Sequence, residues 1–315
     1  MEITINLRKK FVTDCKLPIK IYEEPYFSYQ MNLFDKHYDC LTKYKCFIDS
    51  LKNFSTEEEY FNYYNSIKET MMTTISTNPH FIEFNEHNMK YTTDYITKIS
   101  QYGFRTKDIF KESFIGKRFI SIDIIKANFN ALRYYNSAIF DNAETYEEYI
   151  SKFTNNKHII NSKYIREVIF GIKKCNPEKQ IAFEKYLMSI LTLNVLSIID
   201  IKDNIVFFSN DEIIIDITNM TSQEIDNIKQ TFNEYMAVPI RIEDFILKGV
   251  YKDNEIIAYI KEFTNGTISI KKYQSLYLPI VIKIINKEPI IDYDLVFDYN
   301  NNICKLIETP NIYIR

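Results

Sequence analysis

The sequence predicts an α+β protein: a helical N-terminal region, an antiparallel sheet interrupted by inserted helices, and a β-rich C-terminal region. Three observations carry this. From residue 26 to about residue 102, apolar residues recur at steps of three and four, the period of a helix with one buried face. Two stretches, 118–123 (RFISID) and 205–218 (IVFFSNDEIIIDIT), are rich in β-branched and aromatic residues and read as a strand and a tight hairpin. After Pro239, further runs of that kind follow one another, separated by turn residues. Residues 1–115 are read as the helical region, 116–250 as the sheet with its helical insertion, and 251–315 as a β-rich accessory region.

Residues 1–22 alternate weakly, MEITINL and then LPIKIY, with Pro18 as a break, and predict two short strands. Leu33, Phe34, His37, Leu41, Tyr44 and Ile48 then fall at helical steps. Ser55-Thr56-Glu57-Glu58-Glu59 opens the next helix with a capping box, and Tyr60, Tyr64, Ile67 and Met71 share its core face. His80 and His87 lie seven apart with Glu83 between them, but Pro79 and the lack of a third ligand make them surface histidines rather than a metal site. His37 and His158 receive no role. KANFNALRYY, residues 126–135, reads as a helix after the first acidic strand.

Thr145-Tyr146-Glu147-Glu148 is a second capping box, opening a helix through Phe153, and Asn161 or Ser162 caps another that Gly171 closes. Asn176-Pro177 starts a long helix to about Leu196, with proline at the first position, where its missing donor costs nothing. Thr221-Ser222-Gln223-Glu224 caps a helix to about Met236. Strands are predicted at 240–250, 255–263, 267–276, 279–285, 290–297 and 303–307, with Asn265-Gly266 as a type I′ turn. Asp292, Asp294 and Asp298 alternate along one strand face, which is either solvated or a calcium site.

The hairpin is chemically the most informative stretch. Asp211 and Glu212 sit side by side at its tip, where two acids repel, so either both are solvated in an ordinary turn or a divalent cation compensates them. The strand at 118–123 ends in a single acid, Asp123.

The segment Ser209-Asn210-Asp211-Glu212-Ile213-Ile214-Ile215-Asp216-Ile217-Thr218 resembles the S-x-D-E-x-x-x-D-[IV]-T segment of Y-family translesion DNA polymerases. Its Asp-Glu hairpin alone is also similar to those of tRNA-His guanylyltransferases and diguanylate cyclases, which share the palm domain. The resemblance implies a palm-like sheet in which Asp123, Asp211 and Glu212 are catalytic and bind two Mg2+ (or Mn2+) ions, with the carbonyl of Ile124 as a fourth ligand. It implies a nucleoside triphosphate as substrate and a nucleic acid template or primer as partner. Asp211 follows Asp123 by 88 positions, an interval nearer that of the polymerases than the shorter one of the cyclases.

Inserted helices of such a domain carry basic residues that grip the triphosphate. Lys163 and Arg166, at i and i+3, and Arg133, ten residues after the first acid, are the candidates; the open alternative is a solvated helix face paired with Glu167. Asn128 and Phe129 would lie under the nucleotide sugar, or else form a helix's first turn with Phe129 in the core. Asp216, four residues past Glu212, shares its face and is expected to support the site from behind.

The chain departs from the polymerase pattern D-x-D-x-F-[FY]. Ile125 stands at the second acid, Asn128 at the aromatic that excludes ribonucleotides, and Phe129 one place late. No S-x-G-I-[AG]-x-N-K segment follows the hairpin.

Formal net charge is −3, so a channel for nucleic acid would have to come from local segregation of basic residues. The five cysteines lack C-x-x-C or histidine-paired spacing and read as reduced thiols. With no N-terminal apolar leader and no run of some 18 apolar residues, a soluble cytoplasmic protein with no membrane partner is expected, in the host cytoplasm if the chain is viral. P-loop, GxGxxG, GxSxG and HExxH motifs do not occur.

The expectation is a metal-dependent nucleotidyltransferase, template-directed and polymerase-like. Two rivals stand beside it: a non-catalytic, viral or phage interaction protein with a degenerate palm, and a cyclase-like condensing enzyme. A larger protein assembly stays open as a further partner.

Overall fold

The computed structural model describes residues 1–86, 90–171 and 176–315. Six helices come first: α1 (Ile5–Cys15), α2 (Tyr26–Tyr38), α3 (Cys40–Leu51), α4 (Glu57–Thr77), α5 (Pro79–Glu86) and α6 (Lys90–Ser100). Strand β1 (Arg118–Ile124) leads into α7 (Ala127–Tyr135), α8 (Tyr146–Ile150), α9 (Lys157–Asn161), α10 (Lys163–Gly171) and α11 (Pro177–Leu196). The hairpin β2 (Ile205–Phe208) and β3 (Glu212–Asp216) follows, then α12 (Ser222–Tyr235). The chain ends with β4 (Ile240–Lys252), β5 (Glu255–Phe263), β6 (Ile268–Lys271), α13 (Leu278–Asn286), β7 (Val296–Tyr299), β8 (Asn302–Lys305) and β9 (Ile312–Ile314). This is an α+β fold.

One antiparallel sheet takes the order β2-β3-β1-β4-β5-β6, with β9 pairing the far end of β4, while β7 and β8 form a separate hairpin. β1 is central, paired with β3 on one side and β4 on the other. Ile120, Ile122 and Ile124 of β1, with Ile213 and Ile215 of β3, face the helices and join the main core. The opposite face carries a smaller core of Phe119, Ile214, Phe245 and Leu247, covered by Ile109, Phe110 and Phe114 from the segment between α6 and β1. Alternation of side chains along each strand produces these two apolar faces.

The N-cap side chains bond as read, but the reciprocal box closes only at Thr221, whose amide donates to Glu224, while Glu59 and Glu148 accept one residue earlier, from Ser55 and Glu144. Thr56, Thr145, Asn176 and Thr221 each accept an amide three residues on, and Ser162 does the same for α10 at 3.1 Å. Tyr60, Tyr64, Ile67 and Met71 are buried on one face of α4.

Elsewhere the structure corrects the reading. Residues 5–15 form α1 rather than a strand, because Thr4 caps them and Leu7, Phe11 and Asp14 recur at helical steps on the buried side. Residues 17–22 pair with no strand, although Leu17, Ile19 and Ile21 are buried. The stripe from Leu33 to Ile48 is two helices: Asp39 turns left-handed at φ 52°, the phase resets, and Leu41 is exposed while Cys40 and Phe47 enter the core.

The run expected as a strand at 279–285 is α13, with Pro279 in its first turn and Lys287 closing it in the left-handed region. A continuous apolar run reads equally as a buried helix, and proline argues against a strand. Between β5 and β6 only Gly266 has positive φ (79°), so a three-residue loop replaces the expected type I′ turn. Two-residue turns with both φ values positive fall instead at Asp253-Asn254 and Asn300-Asn301. Asp292 and Asp294 lie in a 3-10 turn, not on a strand face with Asp298, and buried Asp294 accepts from the Tyr29 hydroxyl and the Ile291 amide. His87 and Cys175 lie outside the described residues; His80 approaches Glu83 at 3.7 Å, and Cys15, Cys40, Cys46 and Cys304 are free.

The helical lobe is pinned by Asp14. Fully buried on α1, it accepts from Lys10 Nζ at 2.6 Å, the Tyr64 hydroxyl at 2.8 Å and His158 Nε2 at 3.0 Å. Burial alone would raise its pKa, but the His158 hydrogen bond and the charges of Lys10 and His158 outweigh that and hold the carboxyl below its ordinary value. Removing one member of a buried ionic cluster strands the others. Asp14→Ala is therefore expected to destabilise the fold by about 3–5 kcal/mol at pH 7, read as a fall in the urea midpoint. A depressed carboxylate stabilises fully above its unfolded pKa of about 4 and less below it, so the gap between parent and variant should narrow as pH falls further.

Candidate functional site

The two faces of β1 differ most at its end. Phe119, Ser121 and Asp123 share the face opposite the isoleucines, so that face runs from apolar to charged toward the strand's C-terminus. Ser209 organises the β2-β3 turn: its amide donates to the Glu212 carbonyl at 2.8 Å, and its Oγ accepts from the amides of Glu212 at 3.0 Å and Asp211 at 3.4 Å. In the β1-β3 register Asp123 stands opposite Glu212, and the Ile124 amide donates to the Asp211 carbonyl at 2.8 Å. Opposed residues in an antiparallel pair have Cβ atoms about 4.5–5.5 Å apart, so the backbones of residues 123, 211 and 212 converge.

Asp123, Ile124, Asn128, Lys163, Arg166 and Asp211 line one cleft of about 610 Å³. β1 and the hairpin tip form one wall; Lys126 in the left-handed region (φ 46°) turns the chain into α7, whose first turn presents Asn128. α10 brings Lys163 and Arg166, and Ser162 caps that helix. The Arg166 guanidinium lies 5.8 Å from the centre of the Tyr146 ring, and Lys163 Nζ is 3.9 Å from Glu167.

The structure does not bring the remaining candidates into the cleft. Phe129 is fully buried, its ring 4.5 Å from that of Phe140, so it packs the core and cannot lie under a sugar. Arg133 donates from Nε to the Ala143 carbonyl at 2.9 Å and holds a loop. Glu212 shares the face of Asp123 but accepts from Ser121 Oγ at 2.5 Å and from Lys261 Nζ at 3.3 Å. Asp216 sits at the other end of β3, opposite Phe119, bonded to Lys117 at 2.9 Å and to Thr218. Four residues of strand amount to about 13 Å, so a shared face does not make it a neighbour of the site.

Two residues of the cleft were not picked out from the sequence. Arg241 of β4 stands opposite Asp123 and donates to its Oδ2 at 2.9 Å, while its Nε is 3.2 Å from Glu243. Glu184 of α11 is 8% exposed. Its signal was present: Gln180, Glu184, Leu187, Met188 and Leu191 fall on one buried stripe, and an acid among them is out of place.

Burial dominates the electrostatics. It raises Asp123 to about 6, a rise that Arg241 opposes and that Asp211, Glu212 and Glu243 reinforce. Burial also raises Asp211 against the hydrogen bond from Ser209. Glu184 is pushed up to about 7, first by burial and then by the charge of Asp211.

The carboxylates of Asp123 and Asp211 and the Ile124 carbonyl are hard oxygen donors of the kind magnesium takes. Among the described residues, however, no three His, Cys, Asp or Glu side chains stand together so as to hold one ion. Arg241 occupies Asp123, and Lys261 occupies Glu212. The donors fit an ion that keeps most of its waters and takes one or two carboxylates; they do not fit the three-carboxylate, two-ion arrangement.

An acid whose folded pKa is raised above its unfolded value opposes folding fully above the raised pKa and not at all below the unfolded one. Glu184→Gln is therefore expected to stabilise the chain by roughly 2–4 kcal/mol at pH 8 in the presence of a chelator, and to be nearly neutral at pH 4. Urea denaturation at the two pH values checks this; equal effects at both would refute it. Compared with known protein-family models, curated proteins and solved structures, the chain matches none of them, so the residues of this cleft carry the functional reading by themselves.

Proposed function

We propose that the chain is a metal-dependent nucleotidyltransferase, polymerase-like in the placing of its acids, acting on a nucleoside triphosphate with a nucleic acid template or primer. One observation supports this reading above the others. A strand-end acid, a hairpin acid and two cations from an inserted helix, distant in sequence, line a single open cleft.

Asp123 and Asp211 would hold one Mg2+ or Mn2+ ion; such an ion, when bound, neutralises charge on a triphosphate and acidifies an attacking hydroxyl. Arg166 offers a planar fork suited to phosphate oxygens, and Lys163, with its side chain 58% exposed, is free to swing toward them. Arg241 lies beside the acids on a flexible side chain and supplies a further cation at the cleft's edge. Asn128 lines the cleft at the position where the polymerases that the hairpin resembles carry an aromatic ring, so on this reading no ring at that position would oppose a 2′-hydroxyl.

The ion pairs Arg241–Asp123 and Lys261–Glu212 favour a second reading, a non-catalytic protein whose acids are compensated internally. Calorimetry with a manganese–nucleotide complex and primer extension with labelled nucleotides separate the two. The first reading expects parent protein to bind the complex and extend a primer, with ribonucleotides accepted within about tenfold of deoxynucleotides. It expects Asp211→Ala and Asp123→Asn to lower extension by about 100-fold or more, and Arg166→Ala to weaken nucleotide binding by about 10-fold or more. A parent protein that binds no nucleotide leaves the non-catalytic reading standing, and condensation of nucleotides without primer or template would mark a cyclase-like enzyme instead.

A further inference from the structure

Glu184 is the one acid among the buried residues of α11. It is 8% exposed on α11 between Phe183 and Leu187, and among the described residues no hydrogen bond or ion pair reaches its carboxylate. An isolated carboxylate withdrawn from water is costly, and proteins that keep one either neutralise it or give it a partner. It lines the same cleft as Asp211, and Asp211 is the charged group acting on it, a neighbour of like sign that makes its position worse.

The cations of the cleft do not relieve the pair. Arg241 is engaged by Asp123 and Glu243 and Lys126 by Glu147, while the exposed Lys163 approaches Glu167 at 3.9 Å and forms no ion pair with either acid of the pair. Arg166 lies against the Tyr146 ring. Two hard carboxylates with no protein cation, bordering a cleft roomy enough for a hydrated ion, are the donor set a magnesium or manganese ion takes.

Resting on the nucleotidyltransferase reading for the identity of the cleft, we infer that Glu184 of α11 is a ligand of the divalent cation, sharing the ion with Asp211. The cation then bridges the hairpin tip to the inserted helix, and α11 becomes a wall of the site rather than only its support. Asp123 is held by Arg241 in this structure, so Asp211 and Glu184 are the two carboxylates that take the ion here.

The test uses the full chain and Mn2+ alone, with binding measured by calorimetry and by the paramagnetic signal of free manganese. Parent protein should bind Mn2+, and its melting temperature should rise with the ion. Glu184→Gln and Asp211→Asn should each lose at least tenfold in Mn2+ affinity and most of the melting shift. Glu184→Asp, which keeps the charge but shortens the reach, should also bind more weakly. Circular dichroism confirms that each variant is folded.

Parent-like Mn2+ affinity in folded Glu184→Gln, or no Mn2+ binding by the parent, would overturn the assignment. Nucleotide binding and primer extension by the parent report separately on the enzymatic reading. Mn2+ binding that depends on Glu184 without any nucleotide transfer would sustain the cation site while removing the enzyme.

Discussion

Pairing of β1 on both sides fixes where the acids of this chain can be. Because Ile120, Ile122 and Ile124 must face the helices, Asp123 is forced onto the opposite face at the strand's end, where solvent begins. A slip of one residue would exchange the two faces, turning the isoleucines away from the helices and the acid into the main core. The same register places Glu212 and Arg241 on either side of Asp123, so an acid and a base flank it by construction. The Ile124 amide then binds the Asp211 carbonyl and ties the hairpin tip to the strand end. The cleft is thus a consequence of hydrophobic alternation, and its chemistry is whatever side chains that alternation leaves at the rim.

Charge at the rim is balanced unevenly. Asp123 and Glu212 have cations at hydrogen-bond distance, whereas Asp211 and Glu184, which line the same cleft, pair with no cation among the described residues. Burial raises the pKa of both acids and the charge of Asp211 raises Glu184 further, and the chain bears that cost in stability.

Much of this was legible in the sequence because its signals are local. Caps at Thr56, Thr145, Asn176 and Thr221, the Ser209–Glu212 turn, and the strand ending at Asp123 each depend on a few adjacent residues. What failed depends on context. Ile5–Cys15 and Leu278–Asn286 have patterns that fit either period, and only packing against the rest of the chain decides between them. Glu212 was grouped with the site by its place beside Asp211, but its partner, Lys261, comes from β5, two strands beyond β1, and is invisible at that range. Phe129 illustrates the same limit: a ring one residue from the cleft is core because α7 turns it toward Phe140.

The N-terminal helices bear on the cleft although none of their described residues lines it. α1 packs against α10, and Lys16, just past the end of α1, is 2.7 Å from Glu167, which also approaches Lys163. Tyr164 of α10 lies 5.1 Å from Lys10 and 5.3 Å from Lys16, so successive residues of that helix face the lobe and the cleft in turn. Lys10 also holds Asp14 in the buried cluster, so the lysine that meets Tyr164 of α10 belongs to the ionic knot that pins the lobe. Whatever enters the cleft meets Lys163 and Arg166 on a helix whose seat lies far away in sequence, and a disturbance of Asp14 would reach the cleft through that helix without touching an acid of the site.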